Sequence, residues 1–470
     1  MRTSAVLLLL LCAPAAWAQA AQSSDTRPRT VPVATPARQP AQTATPAPQP
    51  GPARQQQPPA AAGQQGQQPL PAANPAPSET ADGAPAQSPP PQPATAAPVV
   101  VPTVAPFVVL QPAKPVAPNK VREHRDEALR ALRTRVSPTS LPSLTFVTLA
   151  ALDPDDSRVH LVTLPKETFL RQFSEVTLYS THGMPLRVRI VRPNYVNTAV
   201  VVSDLTGRQF APLVVAYPIE KFGRYRETAY YTSAHPALIT PDLVKLGQNY
   251  VRTMVDLAAK RLKEKGQHMS PEVLDMAERL CVVEHIDHTR FLREPRRQLL
   301  EEVYALYALN ELDTYRYSVS SAGAGGMVQM IAPTYQFLRQ RYPSVGLNPD
   351  FVAGMRNHGN ALEAMLLYIR DTWSDLNLNA DIAAARAAGQ AGRDELIAAG
   401  YNSNPANLAR YIRRGGTSWR TLIPRETQMY LQILGAFNSF TPIKPRAGQN
   451  AHPVTSPATE SAAAPPPSVN

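Results

Sequence analysis

Three stretches of this chain carry residue types that could do chemistry. The first is Ser320-Ser321-Ala322-Gly323-Ala324-Gly325-Gly326-Met327-Val328-Gln329-Met330-Ile331-Ala332-Pro333-Thr334-Tyr335. Glycine lets a backbone approach a ligand closely. A carboxamide such as Gln329 donates and accepts at once, which suits a sugar acetamido group. The stretch fails as a phosphate loop, having no Gly-Lys-Ser/Thr and no preceding strand. The second is Ala399-Gly400-Tyr401-Asn402-Ser403-Asn404-Pro405, and the third is Leu422-Ile423-Pro424-Arg425-Glu426-Thr427-Gln428-Met429-Tyr430. Two carboxylates extend apolar helical stripes: Glu284 stands at i+4 from Leu280, and Glu311 follows Leu300, Val303, Tyr304 and Tyr307. Cys281, His285 and His288 fall at i, i+4 and i+7, a spacing that could ligate zinc. They are not His-Glu-x-x-His and no fourth ligand is evident, so no metal and no cofactor is expected. No Gly-x-Ser-x-Gly elbow supports a serine hydrolase.

The elements that must position these residues follow from periodicity. Thr240 caps a helix with Pro241 at its first position, running to about Lys265, with Gly266 as the stop. Ser270 and Pro271 open a second helix, whose stripe is Val273, Met276, Ala277, Leu280 and Cys281. A third runs from Arg296 to Asn310. Further helices are expected at 333–341, 360–376, 380–388, 393–399, 406–413 and 425–437. Before them, residues 144–217 hold β-branched runs broken by Asp-Pro-Asp-Asp, His-Gly-Met-Pro and Thr-Gly, the pattern of five to seven strands. A short polar helix is expected over 121–135.

Taken in order, the three stretches resemble the soluble lytic transglycosylases, whose domain is lysozyme-like. Ser320 to Gln329 is similar to that family's S-x-A-G-A-x-G-L-M-Q block, with Met327-Val328 where Leu-Met is usual. Tyr401-Asn402 is similar to its A-Y-N block, with Gly400 replacing Ala. Glu426-Thr427 with Tyr430 is similar to the closing E-T-x-x-Y. The resemblance covers about 270–437, a third of the chain. It implies cleavage of the β-1,4 bond between N-acetylmuramic acid and N-acetylglucosamine in peptidoglycan. The muramic acid C6 hydroxyl attacks, leaving a 1,6-anhydro end. One glutamate serves as acid and then base, which requires a raised pKa from burial, and no second carboxylate is needed.

The resemblance leaves two candidates for that glutamate. Spacing to the Gly-rich block points to Glu311, but Leu312 stands where Ser is usual. Glu284 ends an apolar helix after Leu280, Cys281, Val282 and Val283, a stronger desolvating context, and Thr289-Arg290-Phe291 resembles the usual aromatic follow-on. Choosing it requires an inserted helix before the Gly-rich block. Glu284 is the preferred reading and Glu311 the competitor. By resemblance, Ser320 orients the acetamido group, Gln329 hydrogen-bonds the substrate, and Tyr401, Asn402 and Tyr430 line the site. Ile331 occupies a position where the family often places Met.

Composition sets the context. The chain has 470 residues, 50 of them Pro, and 47 basic against 36 acidic residues. Half of the prolines fall between Gln19 and Pro118, a segment with almost no aromatics that cannot bury a core and reads as a disordered, partly polyproline-II tether. Arg2, the apolar run to Leu11 and Ala16-Trp17-Ala18 read as a signal peptide cleaved after Ala18, which implies a periplasmic destination. Cys12 lacks the small residue a lipoprotein site wants at Leu11. Cys281 is then the last cysteine, so no internal disulfide forms. The net charge of +11 suits an anionic wall polymer. No like-charged block interleaved with aromatics points to nucleic acid, and no later run is long enough to span a bilayer.

The expected architecture is α+β. Residues 1–18 form the signal peptide, 19–118 the tether, 119–239 a β-rich domain, 240–445 a helical domain and 446–470 a disordered tail. The β-rich domain is read as a spacer, a support or a docking module for a cell-envelope protein. A catalytically drifted peptidoglycan-binding scaffold and a hydrolytic muramidase stand as alternative functions.

Overall fold

The computed structural model describes residues 110–134 and 143–447, which belong to one compact unit. The expected signal peptide, the tether before residue 110 and the tail beyond 447 lie outside the described residues. Two expected boundaries shift. The Gln111 N–H donates to Gly207 O at 2.9 Å and the Val116 N–H to Ala237 O at 2.8 Å, so the chain is docked before Pro118. At the other end, Arg446 is held by Asp275 and Glu278 at 2.8 and 2.7 Å rather than belonging to a loose tail.

The architecture is α+β. A helix, α1 (Val121–Thr134), precedes seven antiparallel strands: β1 (Phe146–Leu152), β2 (Val159–Pro165), β3 (Glu175–Tyr179), β4 (Pro185–Arg192), β5 (Ala199–Ser203), β6 (Gln209–Lys221) and β7 (Arg224–Tyr231). A one-turn helix, α2 (Lys166–Phe169), joins β2 to β3. The strand order is β2-β1-β6-β5-β4-β3, with β7 on the far part of β6. β6 is long enough to pair with β5, β1 and β7 along its length. The outer strands nearly close the sheet, since the Thr181 N–H after β3 reaches Leu161 O on β2 at 3.0 Å.

Helices follow: α3 (Pro241–Glu264), α4 (Pro271–Val283), α5 (His288–Arg293), α6 (Arg296–Asn310), α7 (Ala332–Arg341), α8 (Phe351–Arg356), α9 (His358–Asn377), α10 (Ala380–Ala387), α11 (Arg393–Asn402), α12 (Leu408–Gly415) and α13 (Arg425–Phe440). Thr240 caps α3 as its chemistry dictates, accepting from the Leu243 N–H at 3.3 Å. Ser270 occupies the cap position of α4 without a capping hydrogen bond. α9 is buried nearly all round and forms the axis against which α3, α4 and α11 pack. No helix among the described residues is long and apolar enough to cross a membrane.

One contiguous apolar core runs from Val147 and Phe210 in the sheet to Leu280, Tyr307, Met365 and Phe437 in the helices. Polar joints reinforce it. The buried Asn310 carboxamide clasps Thr232, accepting from its N–H at 2.8 Å and donating to its O at 2.9 Å. Glu227 of β7 meets Arg316 and Arg356. The sheet is therefore built into the helical part rather than strung beside it.

Candidate active site

The α4 sequence puts Met276, Ala277, Leu280, Cys281, Val282 and Val283 into the core, and the helix ends there. Glu284 is the next residue, with helical backbone geometry (φ −60°, ψ −18°) and its N–H on Leu280 O at 3.0 Å. Its half-buried carboxylate accepts a hydrogen bond from the Tyr430 hydroxyl at 2.7 Å. Tyr430, on α13, is only 2% exposed. On α11, the Tyr401 hydroxyl donates to Val328 O at 2.7 Å. Burial, followed by the Glu284 charge, raises both phenols well above their usual value, so both remain donors.

His285 connects this glutamate to the Gly-rich segment. Its ring stacks on Tyr315 with centroids 3.4 Å apart, and its Nε2–H donates to Met327 O at 3.0 Å. Burial pushes the imidazole down to about 3, so it stays neutral near pH 7. The segment itself is a knot of short bonds. Gly325 bridges to Val319 and to Met330. Gly326 has φ +66°, and a Cβ there would lie 2.2 Å from Met355 O, so only glycine fits. Gln329 follows in the left-handed region (φ 45°, ψ 43°), with its Nε2 on Gly326 O at 2.8 Å and Ser318 Oγ at 3.3 Å. That geometry fixes the carboxamide in the wall of the site.

Gln329 lines two hollows. One, of about 350 Å³, is walled by Tyr368, Tyr401, Asn402, Thr334 and Glu426. The other, of about 840 Å³, is walled by Glu284, Asp287, Arg290, Tyr317 and Ser318. The two hollows share Gln329: the larger is a groove with Glu284 in its wall, and the smaller holds the Tyr401–Asn402 corner. The Asn402 Oδ1 accepts from Thr427 Oγ1 at 2.9 Å, which ties the end of α11 to the start of α13.

The two glutamates part company. Glu311 lies where α6 has ended, with φ 48°, and pairs on the surface with Arg122 of α1, its side chain 54% exposed. It lines neither hollow. The apolar stripe of α6 does not continue to it because the backbone leaves the helix there. Ser320 also has an inward task, since its Oγ accepts the Ala324 N–H at 3.0 Å and braces the loop. The groove is lined instead by Ser318, two residues earlier, and, from the sheet part, by Arg192 at the end of β4 and Asn194 and Tyr195 in the loop after it. Nothing in local spacing marks these sheet residues, because only the tertiary packing brings them to α4.

Cys281, His285 and His288 do not share a helical face, because α4 stops at Val283 and His288 opens α5. The Cys281 thiol, pushed up by burial, sits against Met365 Sδ at 3.9 Å. Among the described residues, the one close grouping of metal-capable atoms is Asp153, Asp156 and His160, which line neither hollow. Asp153 is already engaged there by Arg208 at 2.8 and 3.0 Å. Compared with protein-family models, curated proteins and solved structures, the chain finds no match in any of the three.

Proposed function

We propose that this chain is an exported lytic transglycosylase with a lysozyme-like helical part, acting on peptidoglycan in the periplasm. The observation that carries the reading is one constellation: Glu284 at the apolar end of α4, hydrogen-bonded by Tyr430, in a groove that also holds Gln329. The resemblance left Glu284 and Glu311 open; Glu284 lines the hollow beside Gln329, whereas Glu311 and Ser320 line neither hollow. Glu284 in its acid form donates a proton to the glycosidic oxygen as the C1–O bond of N-acetylmuramic acid breaks. The resulting carboxylate then takes the proton of that sugar's C6 hydroxyl as its oxygen bonds to C1. The proton count closes, and no water is consumed. Gln329, whose Nε2 is held by Gly326 O and Ser318 Oγ, offers its carboxamide oxygen to the N–H of the sugar's acetamido group, and Tyr401 shapes the wall.

Asp287 also lines the groove, but its Oδ1 accepts the Arg290 N–H at 2.8 Å as the cap of α5. That engagement favours a single-carboxylate mechanism over a hydrolytic pair. Gly400, a departure from the family block, has a packing cause: a Cβ there would sit 3.0 Å from Thr372 Cγ2 and 3.1 Å from Pro405 Cβ. The drifted-scaffold alternative therefore gains nothing from Gly400.

The test is digestion of purified sacculi with product mass analysis. The parent chain should release 1,6-anhydro ends. Glu284→Gln should lower the rate at least ~100-fold, within the usual range for losing a general acid. Glu311→Gln should retain most activity. Reducing ends would make the enzyme a hydrolytic muramidase, and binding without products would make it a scaffold.

A further inference from the structure

The β-rich part contributes a wall to the groove. Gln172, Arg192, Asn194, Tyr195 and Asn197 line the same 840 Å³ hollow as Glu284. β4 ends there with an irregularity. Ile190 pairs with Val200 and Arg192 with Ala199, so Val191 is an extra residue. A bulge of this kind re-aims the side chain that follows it. The next loop is tied down: the Asn194 N–H donates to Thr198 Oγ1 at 2.9 Å, which donates to Tyr195 O at 2.8 Å. Tyr195 is held at φ 45°, a strained setting for an aromatic residue, with its side chain exposed.

Two arginines face this hollow, and they differ. Arg290 is matched by Glu294 and Glu302 at 2.6 to 2.9 Å. The Arg192 guanidinium is half-buried, and among the described residues it has no ion pair and no hydrogen-bonded acceptor. Glu302, Asp287 and Glu294 act on it only at longer range. Burial first, and then the Arg290 charge, lower its pKa below the usual arginine value, which means the cation is under-compensated where it stands. A bound anion would relieve both penalties, and a guanidinium receives a carboxylate through two parallel hydrogen bonds.

Resting on the transglycosylase reading, we infer that Arg192 is a subsite for a carboxylate carried by the muramoyl substituent of the bound glycan. That carboxylate is either the lactyl group of a bare sugar or one on the attached peptide stem. Asn194 and Asn197 supply neighbouring amide donors. The sheet thus reads the substituent while the helices act on the sugar.

The test uses the full chain carrying Glu284→Gln, so that strands are bound and not cut. Calorimetry would compare soluble stem-bearing glycan strands with the same strands after their carboxyls are amidated with glycinamide, and with amidase-stripped strands that keep only lactyl carboxylates. Free carboxylates should tighten binding roughly tenfold, as expected of a charged hydrogen-bonded pair. Added Arg192→Leu should collapse that ratio to near one, and Arg192→Lys should keep part of it. Preference retained on stripped strands assigns the lactyl group, and preference lost there assigns the stem. A folded Arg192→Leu chain with the full preference overturns the inference, as does a parent with none. Should Arg192→Leu not fold, the Lys variant decides, because undiminished preference in Lys excludes the bidentate pair. Sacculus digestion by the unaltered chain runs in parallel. Failure to cut with carboxylate preference intact sinks the catalytic reading alone, and cutting without preference sinks this one alone.

Discussion

At the scale of single residues, the contact that most needs explaining is the Tyr430 hydroxyl on Glu284. A donor to a carboxylate favours the ionised form, whereas an acid catalyst must begin protonated. The hydroxyl therefore lowers the share of Glu284 that is protonated for the first step while stabilising the carboxylate left for the second. Removing it should have two separable effects. Tyr430→Phe should slow anhydro-product release about tenfold, in keeping with the loss of one positioned hydrogen bond to a charged group. It should also move the alkaline limb of the pH–rate profile to higher pH, because the acid form then persists further. A purely structural role for Tyr430 would lower the rate without moving the limb, which a rate profile from pH 4 to pH 8 distinguishes. At this scale the sequence was only partly informative. Glu284 and Glu311 both extend apolar stripes, and periodicity could not separate them. What separates them is the backbone at 311, which turns to φ 48° and delivers that side chain to Arg122 on the surface. Ser320 illustrates the same limit. Its place in a motif says nothing of whether its hydroxyl faces the groove or its own loop.

At the scale of elements, the catalytic geometry depends on where α4 points, and α4 is pinned from its outer side. Arg446 reaches Asp275 and Glu278 on α4, and Asp256 on α3 at 2.8 Å. Glu278 is 3% exposed and Asp275 6%, and burial raises the Glu278 pKa despite its cations. Arg446→Ala would leave these carboxylates with Arg252 as the nearby cation, at 3.3 Å from Glu278. Removing one partner of a buried pair typically costs about 3 kcal/mol. Urea denaturation should record a loss of that order, and a shift under about 0.5 kcal/mol, the scale of an ordinary surface change, would show the clamp to be ornamental. The major helices were legible because each announces itself. Thr240-Pro241 opens α3, and the stripe of α4 is unbroken from Val273 to Cys281. The strand β7, RYRETAYY, was not: it has charges on its outer face and follows the already assigned β6 run with only a tight turn at Phe222-Gly223. The short helices α5 and α8 are one to two turns long, too brief for a period to register. Their caps, Asp287 and Asp350, were the available signals.

At the scale of the whole molecule, the expected boundary between a β-rich and a helical domain crosses a shared core, and that core encloses titratable groups that must stay neutral. His235, His285 and His358 are pushed down by burial to about 4, 3 and 4 from an ordinary 6.5. Their partners fit the neutral ring. The His358 Nε2–H donates to Thr314 O at 2.8 Å, while its Nδ1 accepts from the Tyr250 hydroxyl at 2.9 Å. The His235 Nδ1 accepts from the Ala237 N–H at 3.2 Å, a bond that a proton on Nδ1 would abolish. Below pH 6.5 the unfolded chain therefore takes up protons that the folded chain refuses, and stability rises with pH across that window. The contribution is whole above about 6.5 and drains away as pH falls toward 4. For His235 or His358 the full loss is on the order of 3 kcal/mol. The raised pKa of Glu278 works in the opposite direction, since that carboxyl gains from protonation in the fold, but it stands against these three rings and His160, which burial also pushes down. Thermal melts should show Tm falling by on the order of 10 °C between pH 7 and pH 4.5. His358→Gln, which cannot take up the proton, should melt lower at pH 7 and yet show a shallower slope. A Tm unchanged across that range would mean that these rings titrate as readily in the fold as in the unfolded chain, and that the core joining sheet to helices is open to water.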